Sequence, residues 1–266
     1  MTATQPPREV FAAFGATGTP ERLSGGRGLT WRAGGVVIRP AGDPEEAAWK
    51  SGVLADLERT DEFTVPRPIP DRSGAWVHDG WEAWEWMPGT ADESRVIDVI
   101  RAGAAFHRAI ASLPQPGFIA RSDDAWSRAE RMAWGEDPLP ADEMLEKLAA
   151  EFRPVESASQ VIHGDLLGNV MFATGHPPAV IDWAPYWRPA GTGAAIAAVD
   201  GACWHGYPPA RLADDHGIPE WSQLLVRALT FRIATWHLLG SWNDEMAGRH
   251  GATVDAVILL AAATAR

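Results

Sequence analysis

Between Gln160 and Trp183 the chain reads QVIHGDLLGNVMFATGHPPAVIDW. Its apolar runs are only two to four residues long. Gly and Pro punctuate the gaps between them. Such a stretch reads as short strands joined by tight turns. Val161–Ile162 reads as a buried strand that delivers His163, Gly164 and Asp165 onto a loop. Asn169–Phe172 is a second strand, Thr174–Pro178 reverses the chain, and Ala179–Ile181 is a third strand ending at Asp182. A hairpin of this kind brings Asn169 and Asp182 to one edge. Asp165 lies on the loop that enters that edge, so two carboxylates and an amide oxygen converge.

The surroundings of this β-island differ on its two sides. Before about residue 90, β-like runs separated by Gly and Pro dominate: Leu29–Arg32, Val36–Arg39, Ala75–His78 and Trp81–Met87. One helix interrupts them, from Pro44 to about Glu58. Asp43 is its N-cap, Pro44 its first residue and Glu46 its third, which makes a capping box. Glu46, Trp49, Val53 and Leu57 are expected to share a face. After residue 90, helical periodicity takes over. Ala91–Leu113 carries the stripe Val96, Ile100, Gly103, Ala104, His107 and Ile110, and Gly103 on that face allows close approach of a neighbour. Trp221–Leu239 carries Leu225, Ala228, Leu229, Ile233 and Trp236, with Gly240 as its C-cap. The expected architecture is α+β in two lobes, a β-rich N-lobe over 1–88 and a larger, mainly helical C-lobe over 89–266, joined at Met87-Pro88-Gly89. Most of the fourteen Trp are expected in packing roles.

Charge narrows the partners. The 35 acidic and 23 basic residues leave a net charge of −12, which repels phosphate backbones, so no nucleic-acid partner is expected. The N-terminus lacks a basic start followed by an apolar core, and the longest apolar run, Ala256–Ala263, is under half of the ~20 residues a membrane span needs. No membrane association is expected, and the expected compartment is the cytoplasm. Cys203 is the sole cysteine, so it has no internal disulfide partner.

The converging oxygens suit Mg²⁺, a hard ion that takes few protein ligands and keeps sites for water and phosphate. With Asn169 and Asp182 on the metal, Asp165 is free to orient a substrate hydroxyl. That division of labour is what phosphoryl transfer requires, since it needs positioning and charge neutralisation more than covalent chemistry. The stretch resembles the catalytic core of the aminoglycoside phosphotransferase-like family, within the protein-kinase-like superfamily. His163-Gly164-Asp165 with Asn169 is similar to its catalytic loop, and Ile181-Asp182-Trp183 to its second metal-binding motif. Three residues separate Asp165 from Asn169 where the family pattern has four.

The resemblance implies an enzyme that uses ATP and Mg²⁺ to phosphorylate a hydroxyl of a small molecule, with an aminoglycoside or related amino-sugar, and so a cationic acceptor, as the family analogy. Asp165 is implied as catalytic base, His163 as the prop of its loop, and Asn169 and Asp182 as metal ligands. Upstream, Gly25, Gly26 and Gly28 resemble a phosphate-cradling connector. Val36–Arg39 is similar to the strand that carries the phosphate-binding cation, which here is Arg39, since Lys50 and Lys147 are the only lysines. Glu46, or alternatively Glu45, would hold Arg39. Glu85, Trp86 and Met87 resemble the hinge that meets the adenine edge. A nucleotide-binding pseudokinase without turnover is the alternative, and a metal-dependent hydrolase using His163 and Asp165 a distant third. Two bland expectations stand beside these. His107 reads as a satisfied core histidine, and Asp200, Asp214, Asp215, Glu220, Asp244 and Glu245 as mostly a solvated face.

Overall fold

The computed structural model describes residues 5–23 and 28–264. The chain forms two compact units, one of residues 1–90 with 171–181, the other of 91–170 with 182–266. The hairpin 171–181, which the sequence assigns to the second half, thus belongs with the first.

The first unit is built on a five-stranded antiparallel sheet of β1 (Glu21–Arg22), β2 (Trp31–Ala33), β3 (Val36–Pro40), β4 (Val77–His78) and β5 (Trp81–Glu85), in the order β1-β2-β3-β5-β4. Alternation sends Ala33, Ile38 and Ala83 to one face, where Val10, Phe11 and Phe14 of the short helix α1 (Arg8–Ala13) and its cap cover them. Helix α2 (Pro44–Asp56) begins at the expected N-cap, the Glu46 N–H donating to Asp43 Oδ1 at 3.0 Å, while the Glu46 carboxylate that would complete a capping box pairs with Lys50. Its buried face is Ala47, Ser51 and Leu54, one residue round from the expected stripe, whose Trp49, Val53 and Leu57 are only half-buried. Small Ala and Ser side chains let that face approach its neighbours. Strand β6 (Thr90–Ala91) and two strands of the β-island, β8 (Val170–Phe172) and β9 (Ala179–Val180), form a sheet in the order β6-β8-β9. Thr64 secures the island hairpin, donating to Pro178 O at 2.8 Å and accepting from the Val180 N–H at 2.9 Å.

The second unit is mainly helical: α3 (Val96–Ala109), α4 (Gly117–Arg121), α5 (Ala125–Ala133), α6 (Glu143–Ala150), α7 (Gly191–Trp204), α8 (Trp221–Leu238) and α9 (Asp244–Thr264). Helix α3 starts five residues after its expected beginning because Asp92 folds a turn instead, accepting from the Ser94 N–H at 3.1 Å and the Ser94 hydroxyl at 2.6 Å. On its stripe, Ala104 is exposed while Val96, Ile100, Gly103, His107 and Ile110 are buried. Helix α8 is buried on nearly every side, not on one stripe, because α5, α6, α7 and α9 all pack against it. Gly240 adopts φ +67° just past its end, donating to His237 O at 3.0 Å. None of the fourteen Trp is exposed. No helix among the described residues is long and apolar enough to cross a membrane.

The remaining strands are β7 (Ser159–His163) and β10 (Pro185–Pro189), an antiparallel pair in which Pro185 faces His163 and Pro189 faces Ser159. The sequence pattern predicts β7 but not β10, which begins and ends with prolines. They are tolerated at the two ends of the strand. Replacing Asp43 with Ala should destabilise the protein by about 1 kcal/mol, the usual cost of an N-cap, read as a lower midpoint in urea unfolding.

Candidate active site

The β7–β10 ladder delivers both acidic motifs to one end. The Gly164 N–H donates to Ala184 O at 2.9 Å, so Asp165 leaves the ladder where the segment from Asp182 enters it. Asp182 is exposed and has φ +49°, the left-handed region that an L residue enters at a cost. The loop after Asp165 closes as a tight turn in which the Asn169 N–H donates to Leu166 O at 2.9 Å. Gly168 holds φ +88° at the third position of that turn, a conformation glycine adopts without strain. The three-residue spacing is thereby accommodated, and Asn169 comes back onto Asp165: its Nδ2 donates to Asp165 O at 2.7 Å and to Oδ2 at 3.2 Å. With Nδ2 committed, Oδ1 is the end of the amide that a cation could use.

Buried imidazoles hold the loop from behind. His163 is fully buried, and its Nδ1 accepts the Asp165 N–H at 3.1 Å. Its own N–H donates to His107 Nε2 at 2.8 Å, while His107 Nδ1 faces Ala190 O at 3.0 Å. An Nε2 that accepts requires the neutral tautomer with its proton on Nδ1, donated to Ala190. Burial, reinforced by the neighbouring His163, pushes the His107 pKa down to about 3. His107 is the satisfied core histidine that its helix position suggests, and it also aligns the strand leading to Asp165. Glycines let the helices press in. A Cβ on Gly103 of α3 would lie 2.3 Å from Leu166 Cδ1, and one on Gly193 of α7 would lie 2.6 Å from His163 O and 2.8 Å from His107 Cε1.

The front of Asp165 meets a residue the sequence analysis does not single out. Arg232 of α8 donates from Nη2 to Asp165 Oδ1 at 2.7 Å. The same guanidinium is forked onto Asp200 of α7, with Nε 2.9 Å from Oδ1 and Nη2 also bonded to Oδ2. Asp200 is therefore an ion-paired interior group and not part of a solvated face. Burial raises its pKa against the opposing pull of Arg232. Arg232 is held more strongly protonated by Asp200 and Asp165 despite its own burial. The signal available in sequence was the charge itself, since a buried Arg must find polar or charged partners; Arg227, the other Arg of α8, finds the Ala133 and Arg153 carbonyls where Arg232 finds acids. The other acidic candidates have separate roles. Glu220 accepts from Glu156 and Ser157, Asp214 pairs with Arg211, and Glu245 pairs with Arg249. Among the described residues, no three His, Cys, Asp or Glu side chains group as a metal cluster.

In the first unit, Arg39 pairs at 2.6 Å with Glu82, its direct partner across the β3–β5 ladder. Of the two acids expected to hold Arg39, Glu46 or Glu45, the first is corrected here. The Glu46 carboxylate pairs with Lys50 one turn along α2, at 2.8 Å. Gly28 has φ +64°, and its carbonyl accepts from Arg22 Nε at 2.7 Å, whereas Gly25 and Gly26 lie outside the described residues. At the expected hinge, the Glu85 N–H donates to Arg67 O and the Trp86 N–H to Gly35 O, at 2.8 and 2.9 Å. Of the three hinge residues, Met87 is the one whose N–H no described residue accepts.

A model of the phosphotransferase enzyme family matches residues 30–186, more than half the chain and the whole of the segment from β2 through the β-island. The chain belongs to this family. It is a phosphotransferase, and its fold is kinase-like α+β. A comparison with curated proteins gave no match. Among solved structures, a thermostable mutant of aminoglycoside phosphotransferase APH(4)-Ia with AMP-PNP and hygromycin B superposes with a TM-score of 0.60 at 14% identity, covering 96% of this chain and 98% of that one. Spectinomycin phosphotransferase APH(9)-Ia with ADP and spectinomycin gives 0.55 at 14% identity, covering 97% and 96%. Amicoumacin kinase hAmiN with AMP-PNP and Ca²⁺ gives 0.55 at 9% identity, covering 94% and 92%.

Two consequences are measurable. Gly193→Ala drives a methyl into the His163 carbonyl, so a stability loss of about 1–3 kcal/mol is expected, seen as a lower melting temperature. His107, neutral when folded, takes up a proton more readily when unfolded, because its folded pKa lies below the ordinary 6.5. Its contribution is complete above about pH 6.5 and is lost as pH falls from there toward 3, with a slope up to about 1.4 kcal/mol per pH unit. Between pH 7 and 5, where carboxylates contribute little, wild-type stability should fall more steeply than that of His107→Gln.

Proposed function

We propose that the protein transfers the γ-phosphoryl group of ATP, with Mg²⁺, to a hydroxyl of a small acceptor, with Asp165 orienting that hydroxyl and accepting its proton. One observation carries this reading: Asp165 is half-exposed although its carboxylate is held by Arg232 and Asn169. A carboxylate fixed in direction yet open to solvent suits a group that must meet an incoming hydroxyl.

The residues present fit a divalent cation. Asn169 Oδ1 and the exposed Asp182 carboxylate are hard oxygen donors, few enough to leave room for phosphate and water on an ion of the Mg²⁺ type. Bound there, the ion would neutralise charge on the phosphoryl group. Arg39 is the candidate cation for the α- and β-phosphates, and Glu82, directly across the ladder, keeps its guanidinium in place. Bidentate recognition of phosphate is within the reach of an arginine fork. The Met87 backbone is the candidate contact for the adenine edge, and Gly28 belongs to the connector that would approach the phosphates.

His163 and His107 act on the Asp165 loop and not on substrate. Their chain of hydrogen bonds fixes where Asp165 emerges, so the acceptor oxygen finds its partner already aimed. The acceptor belongs to the hydroxylated small molecules. An amino-sugar is the first candidate from family membership, although Asp200, the acid next to Asp165, is committed to Arg232 and offers no free partner for an ammonium group.

The test is Mg²⁺-dependent ATP consumption against a panel of hydroxylated amines, amino-sugars and macrolides. Asp165→Ala should lower the rate by roughly 10²–10⁴-fold, the range for losing a general base. An unchanged rate overturns the assignment.

A further inference from the structure

We propose that Arg232 is a positioning residue for the transfer reaction: anchored on buried Asp200, it holds the Asp165 carboxylate in the orientation that meets the acceptor hydroxyl. The inference rests on the reading of Asp165 as the hydroxyl-orienting group and extends it to a residue 67 positions away on another element.

The geometry distinguishes this role from simple core stabilisation. Asp200 and Arg232 already satisfy each other. Nε lies 2.9 and 3.1 Å from the two Asp200 oxygens, and Nη2 also bonds to Oδ2. Both side chains retain only 14% of their exposure, so the pair is taken almost wholly out of water. A pair serving the interior alone would need no further partner. Nη2 nevertheless also reaches Asp165 Oδ1 at 2.7 Å, on a side chain that is 49% exposed. Asn169 Nδ2 takes the other oxygen at 3.2 Å. Asp165 is thus gripped at both oxygens by groups that are themselves fixed, one through α7 and α8 and one through the Gly168 turn. Breaking a buried pair by removing one partner is costly, so the fork cannot drift. A lysine carries the charge, but its single point cannot grip Asp200 with two nitrogens and reach Asp165 as well.

The expected signature is a loss in turnover without a matching loss in nucleotide affinity. Misplacing a reacting group by about 1 Å can cost up to roughly 10²-fold. For Arg232→Ala we expect kcat to fall by roughly 10–100-fold while KM for MgATP stays within about threefold. Millimolar guanidinium should restore part of the loss by occupying the vacated site. Arg232→Lys should recover less than guanidinium does. Asp200→Asn, which removes the anchor without touching Asp165, should lower kcat in the same direction and serves if the alanine variant does not fold.

The outcomes separate the two levels of the argument. If Asp165→Ala abolishes turnover while Arg232→Ala and Asp200→Asn turn over like wild type, the positioning role is wrong and the phosphotransfer reading stands. If Asp165→Ala is as active as wild type, the reading itself fails, and the positioning role with it. A crystal structure of the Arg232→Ala protein decides the matter without any acceptor. An Asp165 carboxylate that leaves its wild-type position supports the role, and one that stays there in a single conformer overturns it.

Discussion

A neutral imidazole in the interior underlies the whole site. His107 can accept from the His163 backbone only while its Nε2 is unprotonated, and its burial enforces that state. The bond ties α3 to the last residue of β7. His163 then passes the constraint on by accepting the Asp165 N–H. Two helices and a loop are therefore registered through two rings, and Ala190, just before α7, closes the chain at His107 Nδ1. Only glycine at 103 and 193 permits the approach, because a single methyl at either position would overlap Leu166 or the His163 carbonyl.

On the solvent side of this scaffold the governing physics is electrostatic. Asp165 is half-exposed, and an exposed carboxylate is mobile unless something holds it. The structure answers with a guanidinium whose own freedom has been removed by burial against Asp200. Burying such a pair costs desolvation energy that a hydrophobic pair would not. What it supplies is direction, and direction matters most where a reacting oxygen must be met at a set angle. The same logic recurs at Arg39, where Glu82 across the ladder leaves the cation little choice of orientation.

Much of the site is local in sequence and was legible there. Asp43 caps α2 as its spacing to Glu46 requires, Gly168 makes the shortened loop possible, and Gly103 admits Leu166. Asp165, Asn169 and His163 are joined by bonds spanning two to four residues, so their mutual placement follows from the loop itself. The misreadings have separate causes. Strand β10 is a strand only because β7 offers it a partner. The α2 stripe was displaced by one residue, Ala47, Ser51 and Leu54 being buried where Trp49, Val53 and Leu57 are half-buried. Glu46 found Lys50, its neighbour on the same helix, while Arg39 found a partner two strands of sequence away.

By itself, then, the amino-acid sequence determined which oxygen-bearing side chains stand at the ends of which short strands, hard donors of the kind a divalent ion takes. Periodicity and turn residues operate over a few positions, and those motifs are no longer than that. The tertiary structure alone decided what holds the chemistry in place. Asp200 and Arg232 are 32 residues apart and meet only because α7 packs on α8. No spacing rule connects them, since the force that pairs them, the cost of burying either charge alone, exists only once the helices have closed around both.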